Sequence, residues 1–260
     1  MNEEFAESDL PSRLHDAEKA IANHPGYIAY EAIGGLIRSL RYVFVPNWLD
    51  LLQLLEHAAT DEKLAIELVQ NVRPPIIRDQ FMSILTRRLH NYLASGVSLA
   101  DHVRREMKDR HDELRAQYDI RLADLKKHAE FYFMKDLRNY TTHYALPVIG
   151  HSLSITNMNT SEQSFTSEVE LSCVELSAWD KWSPQSKKFL REAGPAIQLR
   201  PIVRKHGELI QNLNTWVIEQ LQVQNDPLLD EANRLVAARN SILAGTDHET
   251  ASRITQERTD

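Results

Sequence analysis

Arg138, Asn139 and His143 fall within the six-residue run Arg138-Asn139-Tyr140-Thr141-Thr142-His143. Together these three residue types supply what cleavage of an RNA phosphodiester needs. Attack by the 2'-hydroxyl requires a base for that hydroxyl, an acid for the departing 5'-oxygen, and a fixed positive charge over the phosphorane. Imidazole titrates near neutrality, so His143 suits the base or the acid. Arg138 stays charged and presents a planar fork of donors that matches phosphate oxygens. Asn139 precedes His143 by four residues and so shares its helical face, where the amide could orient the ring or the substrate. Arg138, five residues from His143, lies roughly 140° around an ideal helix from it. One copy of the run therefore does not close a site on a single helix.

Flanked as LRNYTTHYALP, the run resembles the R-x4-6-H signature of HEPN domains (higher eukaryotes and prokaryotes nucleotide-binding), most closely the RNxxxH form of their ribonuclease members. The resemblance implies a metal-independent endoribonuclease with no cofactor, in which Arg138 holds the scissile phosphate, His143 transfers protons and Asn139 orients them. It implies a homodimer that brings two motifs together across an interface. It also implies a toxin or defence effector, with RNA as substrate and an antitoxin or regulatory protein as a further partner. The alternative is a non-catalytic HEPN-like module that binds a nucleotide, RNA or a protein.

The same residues admit a structural reading. Pro147 disfavours helical geometry at Leu146, so the helix is expected to stop around Tyr144 to Leu146, with His143 in its last turn. A histidine there can serve the terminal carbonyls and the negative end of the helix dipole. Arg138 can pair with Glu130 or Asp136.

The elements that must position the motif are helical. Two hundred and sixty residues, only eight Gly and 42% hydrophobic side chains predict a mainly α-helical protein with a sizeable core. The single Cys173 excludes an internal disulfide framework and fits a reducing cytoplasm. No apolar run is long enough to span a bilayer, and the acidic start lacks a signal-peptide pattern, so neither membrane insertion nor export is expected. No His/Cys/Asp/Glu spacing suggests a metal site. The net charge of −7 argues against broad nucleic-acid binding, but residues 73–138 carry 14 basic and 10 acidic side chains. That positive block leads into the motif.

Three regions are expected: an N-terminal helical extension over 1–73, a HEPN-like bundle over 74–224, and a C-terminal amphipathic helix with a disordered tail over 225–260. Residues 10–24 read as a short helix. Residues 27–70 read as one or more helices broken by Val45-Pro46 and near Thr60-Asp61. Pro74-Pro75 opens a long core helix marked by Ile77, Phe81, Ile84 or Leu85, Leu89, Tyr92 or Leu93, Val103 and Met107, with a kink or split expected at Ser95-Gly96. Asn91, Ser95, Ser98, His102 and Arg105 form a polar stripe on it. His102, Arg105 and Asn91, with Tyr144 beside the motif, are the secondary substrate-binding candidates. Residues 112–145 read as the second long helix, with Leu114, Tyr118, Leu122 and Leu125 on its buried stripe, antiparallel to the first.

Beyond Gly150 the period becomes two. Leu153 and Ile155, then Phe165, Ser167, Val169 and Leu171, alternate with polar neighbours, predicting an inserted β-hairpin over about 151–177 with a turn at 157–164. Trp179 and Trp182 are expected to anchor it in the core. Helices resume at Ser183-Pro184 and again from about Leu199, where Ile202, His206, Leu209, Leu213, Trp216 or Val217 and Leu221 form a bundle or dimer seam.

Overall fold

The computed structural model describes residues 9–70, 75–108, 110, 112–157 and 164–244. The chain is mainly helical, with one small antiparallel sheet. In order, the elements are α1 (Leu10–Asn23), α2 (Pro25–Arg38), a π-helical segment (Ser39–Phe44), α3 (Val45–Thr60), α4 (Glu62–Val69), α5 (Ile76–Lys108), α6 (Glu113–Leu125) and α7 (Ala129–His143). Then follow β1 (Ile149–Thr156), β2 (Ser164–Ser172), α8 (Cys173–Ser177), α9 (Pro184–Glu192), β3 (Ala196–Gln198) and α10 (Leu199–Ala244). Among the described residues no helix is long and apolar enough to cross a membrane.

Two compact units result, one of residues up to Gly35 and from Ile218 onward, the other Leu36–Val217. The smaller buries Leu10, Leu14, Ile21, Ile33, Leu221 and Ala232. Within it Gly26 is required by close approach, because a Cβ there would lie 1.8 Å from the carbonyl oxygen of Leu228. Pro227 does not start a new helix as the sequence suggested; it sits inside α10. Its missing donor leaves a carbonyl at exposed Val223, where water can replace the lost bond.

The larger unit holds α3 to α9 and the sheet. Residues 36–70, expected in a separate extension, instead pack with the bundle: α5 lies against the π segment, α3, α4 and α7. Phe44 is fully buried, its ring 5.7 Å from that of Tyr92 on α5. The expected break at Val45-Pro46 is a π turn instead. Val45 N–H reaches Leu40 O, five residues back, and Pro46 falls in the first turn of α3, where a missing N–H is tolerated. The break near Asp61 is real, since its carboxylate caps α4 by accepting from Leu64 N–H at 3.0 Å.

α5 runs unbroken through Ser95-Gly96. Its stripe of Phe81, Leu85, Leu89, Tyr92, Leu93, Val103 and Met107 is buried, whereas Ile77 and Ile84 are exposed. The second long helix is two helices, broken at Lys126-Lys127-His128. No Gly or Pro marks that break, so tertiary packing decides it: Leu114, Tyr118 and Leu125 bury one stripe, and Phe133, Met134, Leu137 and Tyr140 bury another. The joint before α6 falls partly outside the described residues, as do Pro74, most of the hairpin turn and the tail expected to be disordered. α7 ends at His143, as Pro147 foretold.

The hairpin is present, with Ile149 opposite Leu171 and Ile155 opposite Phe165. Ser167, Val169 and Leu171 face inward as expected. Glu168 is also buried because the Arg200 guanidinium bonds its carboxylate and bridges to Glu56. β3 was not anticipated, being three residues long. Trp179 and Trp182 are buried against Tyr140 of the motif helix, Trp182 stacked on its ring and Trp179 edge-on to it. Cys173 is buried at the start of α8, and burial raises its thiol pKa.

In α10 the seam of Ile202, His206 and Val217, with Val203 and Ile210 beside it, is buried inside this unit. These residues are core of the unit, while Leu209 and Leu213 of the same seam are half-buried. Gly207 lets α10 approach α3, since a Cβ there would lie 2.1 Å from the Trp48 indole, whose N–H donates to Val203 O at 3.0 Å. Gly207→Ala is expected to destabilise the protein by about 1–3 kcal/mol through overpacking, more than the ~1 kcal/mol gained in helix propensity. Urea unfolding checks this; a variant as stable as wild type would contradict the close approach.

Candidate functional site

A cleft of about 560 Å³ opens among α5, α6, α7 and α10. Five cationic side chains line it, Arg104, Arg115, Lys126, Lys135 and Arg138, against two carboxylates, Asp101 and Asp119. All five cations belong to the positive block 73–138. Arg104 bonds Asp101, and Arg115 bonds both Asp119 (2.9 Å) and Met107 O (2.5 Å). Arg115 therefore ties α6 to the end of α5 and shapes the rim. Lys126, Lys135 and Arg138 make no ion pair among the described residues, which leaves their charge for a ligand.

Arg138 and Asn139 both line this cleft. The Arg138 guanidinium donates to Asn139 Oδ1 at 3.2 Å, so the two act as one donor surface. The alternative partners of Arg138 are otherwise engaged or absent. Asp136 is buried and accepts from Ser183 N–H (2.9 Å) and the Ser186 hydroxyl (2.7 Å), fixing the start of α9. No pairing of Arg138 with Glu130 occurs among the described residues. The Thr141 and Thr142 hydroxyls donate to the Arg138 carbonyl at 2.9 and 2.8 Å, the back-bonding to the preceding turn that helical threonines make.

His143 is elsewhere. It is exposed, does not line the cleft, and makes no side-chain hydrogen bond or ion pair among the described residues. Asn139 therefore does not orient the His143 ring within one chain; its oxygen accepts from Arg138 instead. Tyr144 follows, 54% exposed, its ring 5.2 Å from Tyr140 and 6.4 Å from Trp179. The aromatic cluster thus braces the helix end that carries His143.

The other secondary candidates also fall outside the cleft. His102 Nδ1 lies 2.6 Å from the hydroxyl of Ser39, so it fastens α5 to the π segment. Asn91 and Arg105 are exposed, and Ser95 is buried with its hydroxyl bonded to Tyr92 O. The stripe of α5 that does face the cleft is Gly96, Val97, Ala100, Asp101 and Arg104.

The cleft's deeper wall holds residues that sequence spacing did not single out for chemistry. His206 pairs through Nδ1 with the Tyr92 hydroxyl at 2.6 Å, and burial depresses its pKa to about 4. The same burial holds the Tyr92 phenol well above its ordinary range. Both are neutral near pH 7, forming a rigid uncharged pair beside Phe131, whose ring lies 6.4 Å from His206. Asn214 donates to Ile210 O at 2.7 Å, but its Oδ1 is buried without a partner. The Arg121 guanidinium sits 4.3 Å over the Trp216 ring, joining α6 to α10. Among the described residues no three His, Cys, Asp or Glu side chains converge as a metal site.

The arrangement is amphipathic: a cationic rim that can neutralise phosphates and an apolar, aromatic interior. Comparisons with protein-family models, curated proteins and solved structures return no match to this chain.

Proposed function

We propose that this chain is an HEPN-like protein that binds RNA through the α5–α6–α7–α10 cleft and cleaves it without a metal, as a homodimer. The observation that carries the reading is the Arg138–Asn139 pair on the wall of a cleft lined by five cationic side chains. A guanidinium without a carboxylate partner is suited to phosphate, with which it forms paired charge-assisted bonds. Lys126 and Lys135 extend the track along the backbone. In this reading Arg138 and Asn139 hold the scissile phosphate, and its charge is stabilised as the 2'-hydroxyl attacks. His143 takes the hydroxyl proton or returns one to the leaving 5'-oxygen. The exposure of His143, followed by exposed Tyr144, Leu146 and Val148, favours a site completed by a second copy meeting this end of α7.

The position of His143 outside the cleft supports a second reading, in which the cleft binds RNA or a nucleotide and no cleavage follows. One experiment separates the two. Labelled single-stranded RNA is incubated with the protein in EDTA, the ends of the products are analysed, and light scattering is measured at micromolar concentration. The ribonuclease reading expects a dimer and products with 2',3'-cyclic phosphate ends. Salt-sensitive binding without cleavage selects the binding module. A protein that neither cleaves RNA nor binds RNA or a nucleotide refutes both.

A further inference from the structure

We propose that Asn214 reads a nucleobase: its Oδ1 accepts an N–H from the base attached to a phosphate gripped by Arg138. This rests on the RNA-binding reading above and adds the determinant of base choice. Asn214 is 5% exposed, lines the cleft, and its oxygen has no partner. A buried polar atom without a hydrogen bond is rare in folded proteins, and its burial is unfavourable. The amide nitrogen already donates to Ile210 O. That bond holds the side chain from turning over, and Oδ1 is the polar atom of the amide that has no bond at all.

The surroundings define what brings that donor. Phe131, Tyr132, Leu213 and Ile210 share the cleft with Asn214, and Arg138 and Lys135 line it too, supplying positive charge. The cleft's volume is in the range of small-ligand sites. A lipid chain would fit the apolar wall but leave Oδ1 unsatisfied. Free phosphate would satisfy the cations and leave the interior empty. A nucleotide has all three complements: a planar heterocycle for aromatic and apolar contact, an N–H on its edge for Oδ1, and an anionic phosphate for Arg138.

Binding of short homopolymeric oligoribonucleotides of each base is measured by calorimetry, alongside the matching nucleoside 5'-monophosphates. Each base is also used in a form with its edge N–H groups methylated: N6,N6-dimethyladenine, N4,N4-dimethylcytosine, N3-methyluracil or N1,N2,N2-trimethylguanine. For the preferred base, methylation should weaken wild-type binding roughly tenfold to a hundredfold, the effect of leaving a buried acceptor unpaired. Asn214→Leu should bind methylated and unmethylated forms equally, keep the wild-type salt dependence, and melt no lower than wild type because the unsatisfied atom is gone. Discrimination by the oligonucleotides alone, with the monophosphates too weak to bind, would assign the site to RNA; equal discrimination by both would assign it to any nucleotide. If wild type binds RNA but ignores methylation, or if Asn214→Leu discriminates as wild type does, the proposal is overturned and RNA binding stands. If wild type binds neither RNA nor nucleotide, both readings fall together.

Discussion

His143→Ala is expected to abolish most RNA cleavage while leaving RNA bound as tightly as before. Losing a positioned proton-transfer group lowers the rate by about 10²- to 10⁴-fold. Binding should persist because His143 does not line the cleft that holds the cations. Folding should persist too, since the side chain is exposed and makes no hydrogen bond or ion pair among the described residues; substitutions at such positions change stability by about ±0.5 kcal/mol. The result to obtain is a single-turnover cleavage rate that collapses beside an unchanged Kd and melting curve. Full activity in the variant would remove His143 from the chemistry. A large fall in melting temperature would make it structural, against its position at the solvent-facing end of α7.

Arg138→Ala is the second substitution with a large expected effect, and its signature differs. Arg138 lies in the cleft, so both binding and cleavage should fall. Loss of a preorganised charge over the phosphorane is expected to lower the rate by about 10²- to 10³-fold, and the salt dependence of binding should flatten by about one phosphate contact. The helix should survive. Thr141 and Thr142 bond the backbone carbonyl of Arg138, which alanine retains, and the one side-chain bond lost is to neighbouring Asn139. Arg138→Lys restores the charge but not the planar fork, so it should recover binding more fully than cleavage. Equal salt dependence in wild type and Arg138→Ala would place the phosphate elsewhere, with Lys126 and Lys135 as the next residues to test.

Much of the architecture was legible because helices announce themselves locally. The period of Phe81, Leu85, Leu89 and Leu93 located α5, Pro147 located the end of α7, and the alternation from Phe165 to Leu171 located β2 and its inward face. Ser183 marked a helix start because capping is a local hydrogen bond, visible in residue type alone, and Thr60-Asp61 marked a break. The motif at 138–143 and the positive block leading to it were also local facts, and that block supplied all five cations of the cleft.

Other features required the tertiary structure, because each is set by residues far apart in the chain. The bend at Lys126-Lys127-His128 contains no helix breaker, so no residue type marks it in the sequence. The seam from Ile202 to Val217 reads alike whether it meets a partner or its own bundle, and only packing placed Ile202, His206 and Val217 in the core. The motif's division is of the same kind. Sequence spacing put Asn139 with His143 on one face, whereas the folded cleft joins Asn139 to Arg138 and leaves His143 in solvent, since side-chain reach and neighbouring helices outweigh helical phase. His206 falls in the seam expected from Leu199 onward, and Asn214, some 70 residues beyond the motif, carries no signal of its own in the sequence. Their place beside Arg138 exists only once α10 closes the cleft.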